Sequence, residues 1–276
     1  VLTRTITWLN DERVSTLFLI DDSYSMQATA PSAPGATPAT HMALAKQSIA
    51  KITENLKTGS DTAALLVGGQ RPHSLMDDPT TRHSEFIEQV QGVQAHGNHF
   101  AVSTAIQAGL AELDQMDNVA REVIVVSDFQ ANDWSTTAAQ HQNTIRAIEA
   151  LREKKTPIHL TLLRLSDSAD DQPRENLAVI DVTASVPVVG VNQKTMLRAT
   201  IENFGLRTYP DVQVDCKIDG KQYRSSRVTI GPRQKAQALF TYTIKSAGSH
   251  TVEIQIKPDE LAVDNNYLTV VSVWDQ

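Results

Sequence analysis

Three segments of the sequence offer oxygen atoms at spacings that suit metal binding. In the first, Asp21, Ser23 and Ser25 stand two residues apart. The other two segments contribute Thr104 and Asp128. Oxygen ligands that include a carboxylate suit a hard cation such as Mg²⁺ or Ca²⁺. These residues therefore predict a divalent-cation site, provided that the fold brings the three segments together.

Each of these segments borders a stretch with the pattern of a strand or a helix. Ser15–Ile20 and Glu122–Ser127 are short apolar runs, typical of strands buried on both faces, and they lead directly into Asp21 and Asp128. Thr104–Leu113 repeats apolar residues at helical spacing. Open parallel sheets bind ligands where the carboxyl ends of their strands meet the loops. The three segments are therefore expected at one edge of a sheet.

The rest of the first 170 residues alternates between strand and helix patterns. The predicted helices are Met42–Leu56, Ser84–Val93 and Thr136–Lys154, and the further predicted strands are Thr62–Val67 and Pro157–Leu165. Such alternation is typical of a doubly wound α/β fold, in which helices cover both faces of a mostly parallel sheet. We therefore predict a Rossmann-like α/β domain over residues 1–170.

Beyond residue 167 the helical period disappears. A polar linker is followed by short strand-like runs with Gly, Asp and Pro between them. The runs are Val179–Val182, Thr195–Glu202, Val212–Ile218, Arg227–Ile230, Ala236–Ile244, His250–Ile256 and Tyr267–Val273. Seven short strands with regular turn signals predict a second domain, residues 177–276, that is an all-β, Ig-like sandwich.

Composition and charge narrow the class of protein and partner. The chain has 276 residues, of which 41% are hydrophobic and 21% charged, which suits two soluble globular domains. It shows no apolar run long enough to span a membrane and no secretory signal, and it begins at Val1, so we interpret it as a fragment. One cysteine, Cys216, excludes an internal disulfide.

The negative charge is concentrated in the first domain. The formal net charge of the chain is −7. Residues 177–276 hold 11 Lys/Arg and 10 Asp/Glu, whereas residues 1–176 hold 14 Lys/Arg and 22 Asp/Glu. An acidic surface disfavours nucleic acid as the partner, because phosphate binding needs a basic one. The same charge is compatible with a cation site.

The motif Asp21-x-Ser23-x-Ser25, then Thr104 in Thr-x-x-x-x-Gly-Leu, then Asp128 resembles the metal-ion-dependent adhesion site of von Willebrand factor A domains. The resemblance covers residues 12–166. It implies that the three hydroxyls bind Mg²⁺ (or Mn²⁺ or Ca²⁺) directly and that the two carboxylates act mostly through water. It also implies that a partner protein supplies a Glu or Asp carboxylate as the last ligand.

Two features depart from that family's pattern. Phe129 stands where the family usually has Gly, and the loop 28–40 is longer and richer in proline than usual. Both lie beside the predicted site and remove no ligand from it. We expect Tyr24, Phe129 and Trp134 to contact the partner, and Asp133 beside Trp134 is a further candidate for that contact.

The stretch Leu197–Val271 resembles CARDB modules, which are bacterial β-sandwiches related to cell adhesion. The resemblance rests on Ile201-Glu202-Asn203-Phe204-Gly205 and on Asp264-Asn265-Asn266. The order of the two domains resembles that of bacterial proteins related to the Bat aerotolerance group. That implies a membrane-anchored parent, of which this chain is a soluble portion without direct membrane insertion, and an extracytoplasmic position is favoured.

The sequence favours a binding module over an enzyme. It contains no nucleophile elbow, no phosphate loop and no Ser/His/Asp order of the hydrolase type. Two alternatives stay open: a metal-assisted hydrolase that uses a metal-bound water, and a scaffold whose metal is purely structural. A zinc site is disfavoured, because His96-x-x-His99 with the upstream His73 and His83 fits no usual zinc spacing.

Overall fold

The apolar run before Asp21 forms the central strand of the first sheet. In the computed structural model this strand is β1, Val14–Ile20, and all of its residues are buried. It pairs in parallel with β2, Thr62–Val67, on one side and with β4, Ala120–Ser127, on the other. Because both faces of β1 are covered, its last four residues, Leu17 to Ile20, are hydrophobic at consecutive rather than alternate positions.

The structure describes residues 13–29, 39–69, 71–76, 78–97, 99–116, 118, 120–130, 133, 138–153, 158–165, 175–186, 189–259 and 261–275. Contacts divide the chain into two units, Val1–Ser168 and Ala169–Gln276. Among the described residues, no helix has both the length and the apolar character needed to cross a membrane.

The first sheet has the strand order β3-β2-β1-β4-β5. The last strand, β5, spans Ile158–Arg164 and pairs with β4 in parallel, as predicted. The short edge strand β3, His73–Ser74, runs antiparallel to β2. Two residues are too few to produce a recognisable alternation, so the sequence did not indicate this strand.

Helices cover both faces of this sheet. They are α1, His41–Thr53; α2, His83–Gly92; α3, Val102–Leu113; and α4, Ala138–Arg152, and a 3₁₀ helix spans Tyr24–Gln27. Phe18 and Ile20 of β1 pack with residues of α1 and α2, whereas Leu17 and Leu19 pack with residues of α3 and α4. Alternate residues of one strand therefore serve two cores, which confirms the predicted layering.

The α3 helix begins two residues before the predicted start. Val102 is buried and lies four residues before Ile106, so it belongs to the same apolar face. Thr104 is consequently the third residue of α3 rather than its first, and it is exposed.

The second unit consists of two β-sheets around one core. Its strands are β6, Leu177–Ala184; β7, Val189–Gly190; β8, Lys194–Asn203; β9, Tyr209–Ile218; β10, Lys221–Ile230; β11, Lys235–Thr243; β12, Gly248–Ile256; and β13, Asn266–Trp274. The sheet orders are β10-β9-β12-β13-β7 and β11-β8-β6, with antiparallel pairing except between β13 and β7. Residues of both sheets, including Cys216 and Tyr242, share the core. The predicted all-β sandwich is confirmed.

Candidate metal site

Two of the predicted ligands follow neighbouring strands. Ile20 and Val126 are partners in the register of β1 with β4, so Asp21 and Asp128 leave the sheet close together. The backbone N–H of Asp21 donates to the carbonyl of Val126 over 3.0 Å, which extends the pairing into the site. Parallel pairing thus brings these two carboxylates to the edge where ligands of such sheets bind.

Hydrogen bonds join four of the five predicted ligands into one chain. Asp21 Oδ1 accepts the N–H of Ser23 at 2.8 Å, and Ser23 Oγ lies 3.0 Å from Ser25 Oγ. Ser25 Oγ in turn donates to Asp128 Oδ1 over 3.2 Å. The second oxygen of Asp21, Oδ2, accepts the hydroxyl of Ser127 at 2.5 Å. The spacing of two residues therefore brings polar atoms of Asp21, Ser23 and Ser25 close together, beside Asp128.

Gly97 holds the loop that carries these ligands. Its N–H donates to the carbonyl of Asp22 and its carbonyl accepts the N–H of Tyr24, both over 2.8 Å. A Cβ at this position would lie 2.7 Å from Asp22 Oδ1, so a side chain here would displace the carboxyl group of Asp22. Asp22 is buried, and this burial raises the pKa of its carboxyl group. Glycine at position 97 therefore leaves room for the buried carboxyl group of Asp22.

A third carboxylate joins the cluster from a position that the motif did not assign to the metal. Asp21, Asp128 and Asp133 each contribute a carboxylate oxygen, and these oxygens lie within 4.8 Å of one another. Asp133 is 8% exposed, and its Oδ1 accepts the N–H of Phe100 at 3.2 Å. Its other oxygen, Oδ2, is buried and has no hydrogen-bond partner among the described residues.

The electrostatic state of the cluster reflects its burial. The pKa of Asp133 is raised to about 7, mainly by burial and in addition by the negative charges of Asp21 and Asp128. Burial likewise raises the pKa of Asp21 to about 6, against the opposing effect of the hydrogen bonds from Ser127 and Ser23. A bound cation stabilises the charged form of a carboxylate. A buried carboxylate that is costly to ionise therefore gains the most from it.

The other predicted site residues occupy different surroundings. Thr104 is exposed on α3, and the hydrogen bonds that link the cluster do not include it. Tyr24 is 37% exposed beside the cluster and could be reached by a partner. Phe129 is partly buried and packs against the core on the α3 side of the sheet. Trp134 lies outside the described residues.

The histidines noted in the sequence approach different groups. His99 Nδ1 lies 3.1 Å from Asp133 Oδ1, and His96 Nδ1 lies 3.7 Å from Asp22 Oδ2 with a side chain that is 70% exposed. His83 Nε2 instead lies 3.0 Å from the carbonyl of Asp61. A further histidine, His41, is fully buried, and its Nδ1 lies 3.5 Å from Asp128 Oδ2. No local sequence pattern indicates this contact, because His41 precedes Asp128 by 87 residues in the chain.

The donor set fits a hard divalent cation. It consists of carboxylate and hydroxyl oxygens, which are the ligands that Mg²⁺ and Ca²⁺ prefer over nitrogen or sulfur. The unpartnered Oδ2 of Asp133 supports the fit, since a buried carboxylate oxygen without a partner is costly unless something else satisfies it.

Phe129, which follows Asp128, has a backbone conformation that is unusual for a residue with a side chain. Its φ is 55°, in the left-handed region that favours glycine. The ring packs against the core, and the backbone N–H donates to Ser127 Oγ over 2.9 Å. The turn that aims Asp128 thus keeps a glycine-like backbone while the side chain adds packing.

We expect Phe129→Gly to be more stable than Phe129→Ala, the reverse of the usual order. Both variants lose the ring, but alanine keeps the unfavourable backbone, which costs about 1 kcal/mol relative to glycine. Urea denaturation of the two variants measures the difference in the free energy of unfolding. A more stable alanine variant would contradict this account of the turn.

Comparisons with known proteins divide the chain at the same place as its contacts do. Residues 16–130 match the family model of the von Willebrand factor type A domain, and residues 174–269 match that of CARDB. No curated protein matches the chain. The two family models therefore cover separate and successive parts of the sequence.

Solved structures similar to the chain include examples of each part. The CARDB domain of a Pyrococcus furiosus protein, crystallised with di-metal ions, is 24% identical, with 40% of this chain and 95% of that chain covered and a TM-score of 0.34. The vWF domain of a type V pili tip protein from Porphyromonas gingivalis is 16% identical, with 43% and 38% covered and a TM-score of 0.33. An aerotolerance-related membrane protein from Bacteroides fragilis is 15% identical, with 59% and 77% covered and a TM-score of 0.40.

Proposed function

Because the chain carries a von Willebrand factor A domain followed by a CARDB region, we propose that it is a divalent-cation-dependent protein-binding module, of the adhesion or scaffold type. The observation that carries the proposal is the linked set of Asp21, Ser23, Ser25 and Asp128 at the carboxyl ends of β1 and β4. We propose further that the parent is a membrane-anchored bacterial protein and that this part acts outside the cytoplasm.

These four residues would hold Mg²⁺, Mn²⁺ or Ca²⁺. The bound cation would supply an electrophilic centre that a carboxylate from a partner can ligate. The two serines are neutral ligands, so they leave part of the cation's charge available for such a partner. The predicted set also includes Thr104, and the variant Thr104→Ala tests its role separately. Tyr24 and Phe129 are the described residues proposed to contact the partner around the cation.

The roles of this chain's own residues follow from their contacts. The N–H of Ser23 and the hydroxyl of Ser127 fix both oxygens of Asp21, so this carboxylate is held in one orientation. Asp21 is fully buried and Asp128 is 3% exposed, so water competes poorly for their oxygens. Preorganised and buried donors of this kind bind a cation without first having to be ordered.

We expect Asp21→Ala to abolish cation binding without unfolding the domain. Mg²⁺, Mn²⁺ and Ca²⁺ are titrated separately into the full chain by isothermal titration calorimetry, and the affinity of the variant should fall by more than about tenfold. Asp78→Ala is the matched control, because Asp78 is an exposed acid of the same domain. Circular dichroism verifies that both variants are folded.

Partner capture then tests the interaction itself. The immobilised chain is exposed to a membrane extract of the native organism with Mg²⁺ or with EDTA. We expect a protein that the wild type and Asp78→Ala retain in Mg²⁺, and that EDTA or Asp21→Ala releases. Recovery of the same proteins in all conditions would refute cation-dependent binding. A cation that raises the melting temperature while no partner is ever captured would instead favour a purely structural metal.

A further inference from the structure

We propose that Asp133 is an internal ligand of the cation and that it competes with the partner's carboxylate for the same ion. This inference rests on the proposed function, because it concerns the same site. It goes beyond that function by assigning to the chain itself an acidic group that limits access of the partner. The motif that indicated the site does not include Asp133.

The position of Asp133 is the first observation that carries the proposal. A carboxylate oxygen of Asp133 lies within 4.8 Å of oxygens of both Asp21 and Asp128. One cation with ligand distances of 2.0–2.6 Å spans oxygen atoms that are up to about 5 Å apart. The three carboxylates are therefore close enough to share a single ion.

The unpartnered oxygen of Asp133 is the second observation. Asp133 is 8% exposed, and its buried Oδ2 has no hydrogen-bond partner among the described residues. If Asp133 served only to cap the N–H of Phe100, its Oδ1 would suffice, and Oδ2 would remain an uncompensated buried acceptor. A buried acceptor is costly to leave unpaired, so the burial of this oxygen among acids calls for a ligand that offsets the cost.

The restraints on Oδ1 keep this carboxylate in place. Oδ1 accepts the N–H of Phe100 at 3.2 Å and lies 3.1 Å from His99 Nδ1. Phe100 is fully buried, so its backbone is held by the packing of its ring. Asp133 therefore meets the requirement of an internal ligand, in that one oxygen is anchored and the other is left for the cation.

The charge of the loaded site gives Asp133 its regulatory effect. Two carboxylates neutralise a divalent cation, and a third leaves the cluster with a net charge of −1. An incoming carboxylate would then meet repulsion rather than attraction at short range. The partner's acid must displace Asp133 to reach the cation, and this displacement lowers the partner's apparent affinity.

The variant Asp133→Asn separates the two effects. Asparagine has nearly the same shape and keeps a carbonyl oxygen for the N–H of Phe100, but it lacks the negative charge. We expect Asp133→Asn to bind Mn²⁺ at least about tenfold more weakly than the wild type by calorimetry. Asp78→Asn, which makes the same change at an exposed acid of the domain, should bind Mn²⁺ within about twofold of the wild type.

Acetate serves as the probe for access of an external carboxylate. With each variant saturated with Mn²⁺, the paramagnetic relaxation of the acetate methyl protons reports how often acetate reaches the ion. We expect stronger relaxation with Asp133→Asn than with the wild type, so that weaker cation binding accompanies better carboxylate access. A merely structural role for Asp133 would not increase relaxation.

The outcomes distinguish this inference from the proposed function. If the wild type binds Mn²⁺ and Asp21→Ala does not, while Asp133→Asn matches the wild type in Mn²⁺ affinity or in acetate relaxation, the site stands and the inference about Asp133 is wrong. If the wild type binds no cation, the proposed function fails as well. Circular dichroism verifies that Asp133→Asn is folded before its Mn²⁺ affinity and acetate relaxation are compared with those of the wild type.

Discussion

Without a cation, the first domain should lose stability as the pH rises from about 4 to about 7. The folded pKa values of Asp21, about 6, and Asp133, about 7, lie above the ordinary value of 3.8. The folded domain therefore binds more protons than the unfolded chain between these limits. The stability that these two carboxyl groups contribute is fully present below the ordinary pKa and is lost as the pH rises through the folded values, by about 7 kcal/mol in all.

Chemical denaturation in EDTA measures this loss. Far-UV circular dichroism follows the first domain, because all four α-helices among the described residues belong to it. Asp264 in the second domain also has a pKa raised to about 6 by burial, so the wild type must be compared with Asp21→Asn/Asp133→Asn. The double variant should have a much flatter dependence on pH. Equal slopes in the two proteins would show that these carboxylates do not carry the effect.

Saturating Mn²⁺ should remove most of the same pH dependence from the wild type. The cation takes the place of the protons as the positive charge within the cluster, and binding only to the folded state adds stability. The comparison uses the same denaturation curves with Mn²⁺ in place of EDTA. A wild type that destabilises equally with and without Mn²⁺ would argue against a cation at these carboxylates.

Gly68→Ala should destabilise the first domain by about 2 kcal/mol and weaken cation binding together. A Cβ at Gly68 would lie 2.2 Å from Cε2 of Phe100, whose ring is fully buried. Overpacking of this kind forces a shift of the neighbouring side chain or its backbone. Because the N–H of Phe100 anchors Asp133 Oδ1, the shift should reach the metal site.

Gly92→Ala is the matched control for this prediction. Gly92 is the last residue of α2, and a Cβ there would meet no atom within 4 Å. It should be neutral or slightly stabilising, because alanine favours helices over glycine. Denaturation curves and Mn²⁺ titrations are compared for both variants. If Gly68→Ala is destabilised but binds Mn²⁺ with unchanged affinity, the packing of Phe100 does not influence the metal site.

The framework of the first domain could be predicted from sequence because its strands are buried on both faces. Consecutive apolar residues in β1 and β4 reflect that burial directly, and the acids that follow mark the strand ends. The start of α3 was less accurate, since helix ends depend on capping contacts as well as on period. That small difference matters, because it places Thr104 on an exposed turn of the helix.

The third carboxylate of the site could not be identified as a ligand from sequence. Asp133 reaches the cluster through its bond to Phe100, which is 33 residues away in the chain. No local spacing indicates such a contact, so the sequence suggested Asp133 only as a candidate for contact with the partner protein. By contrast, Asp21, Ser23 and Ser25 belong to one short loop, and their approach follows from the loop alone.

In the second domain, the sequence marks turns better than exposed strands. Asp219 and Gly220 have φ values of 51° and 73°, as the hairpin between β9 and β10 requires. The predicted run Arg227–Ile230 covers only the end of β10, which begins at Lys221. Most residues in the first half of this edge strand face solvent, so no apolar alternation reveals them.

The single cysteine is a natural probe of how often the core of the second domain opens. Cys216 is fully buried in β9, and burial raises the pKa of its thiol to about 11. A thiol reagent can therefore react only when that core opens, and its rate reports the opening under native conditions. Since the proposed cation site belongs to the other unit, any change of this rate on adding Mn²⁺ would measure the coupling between the two domains without a label, a fluorophore or a mutation.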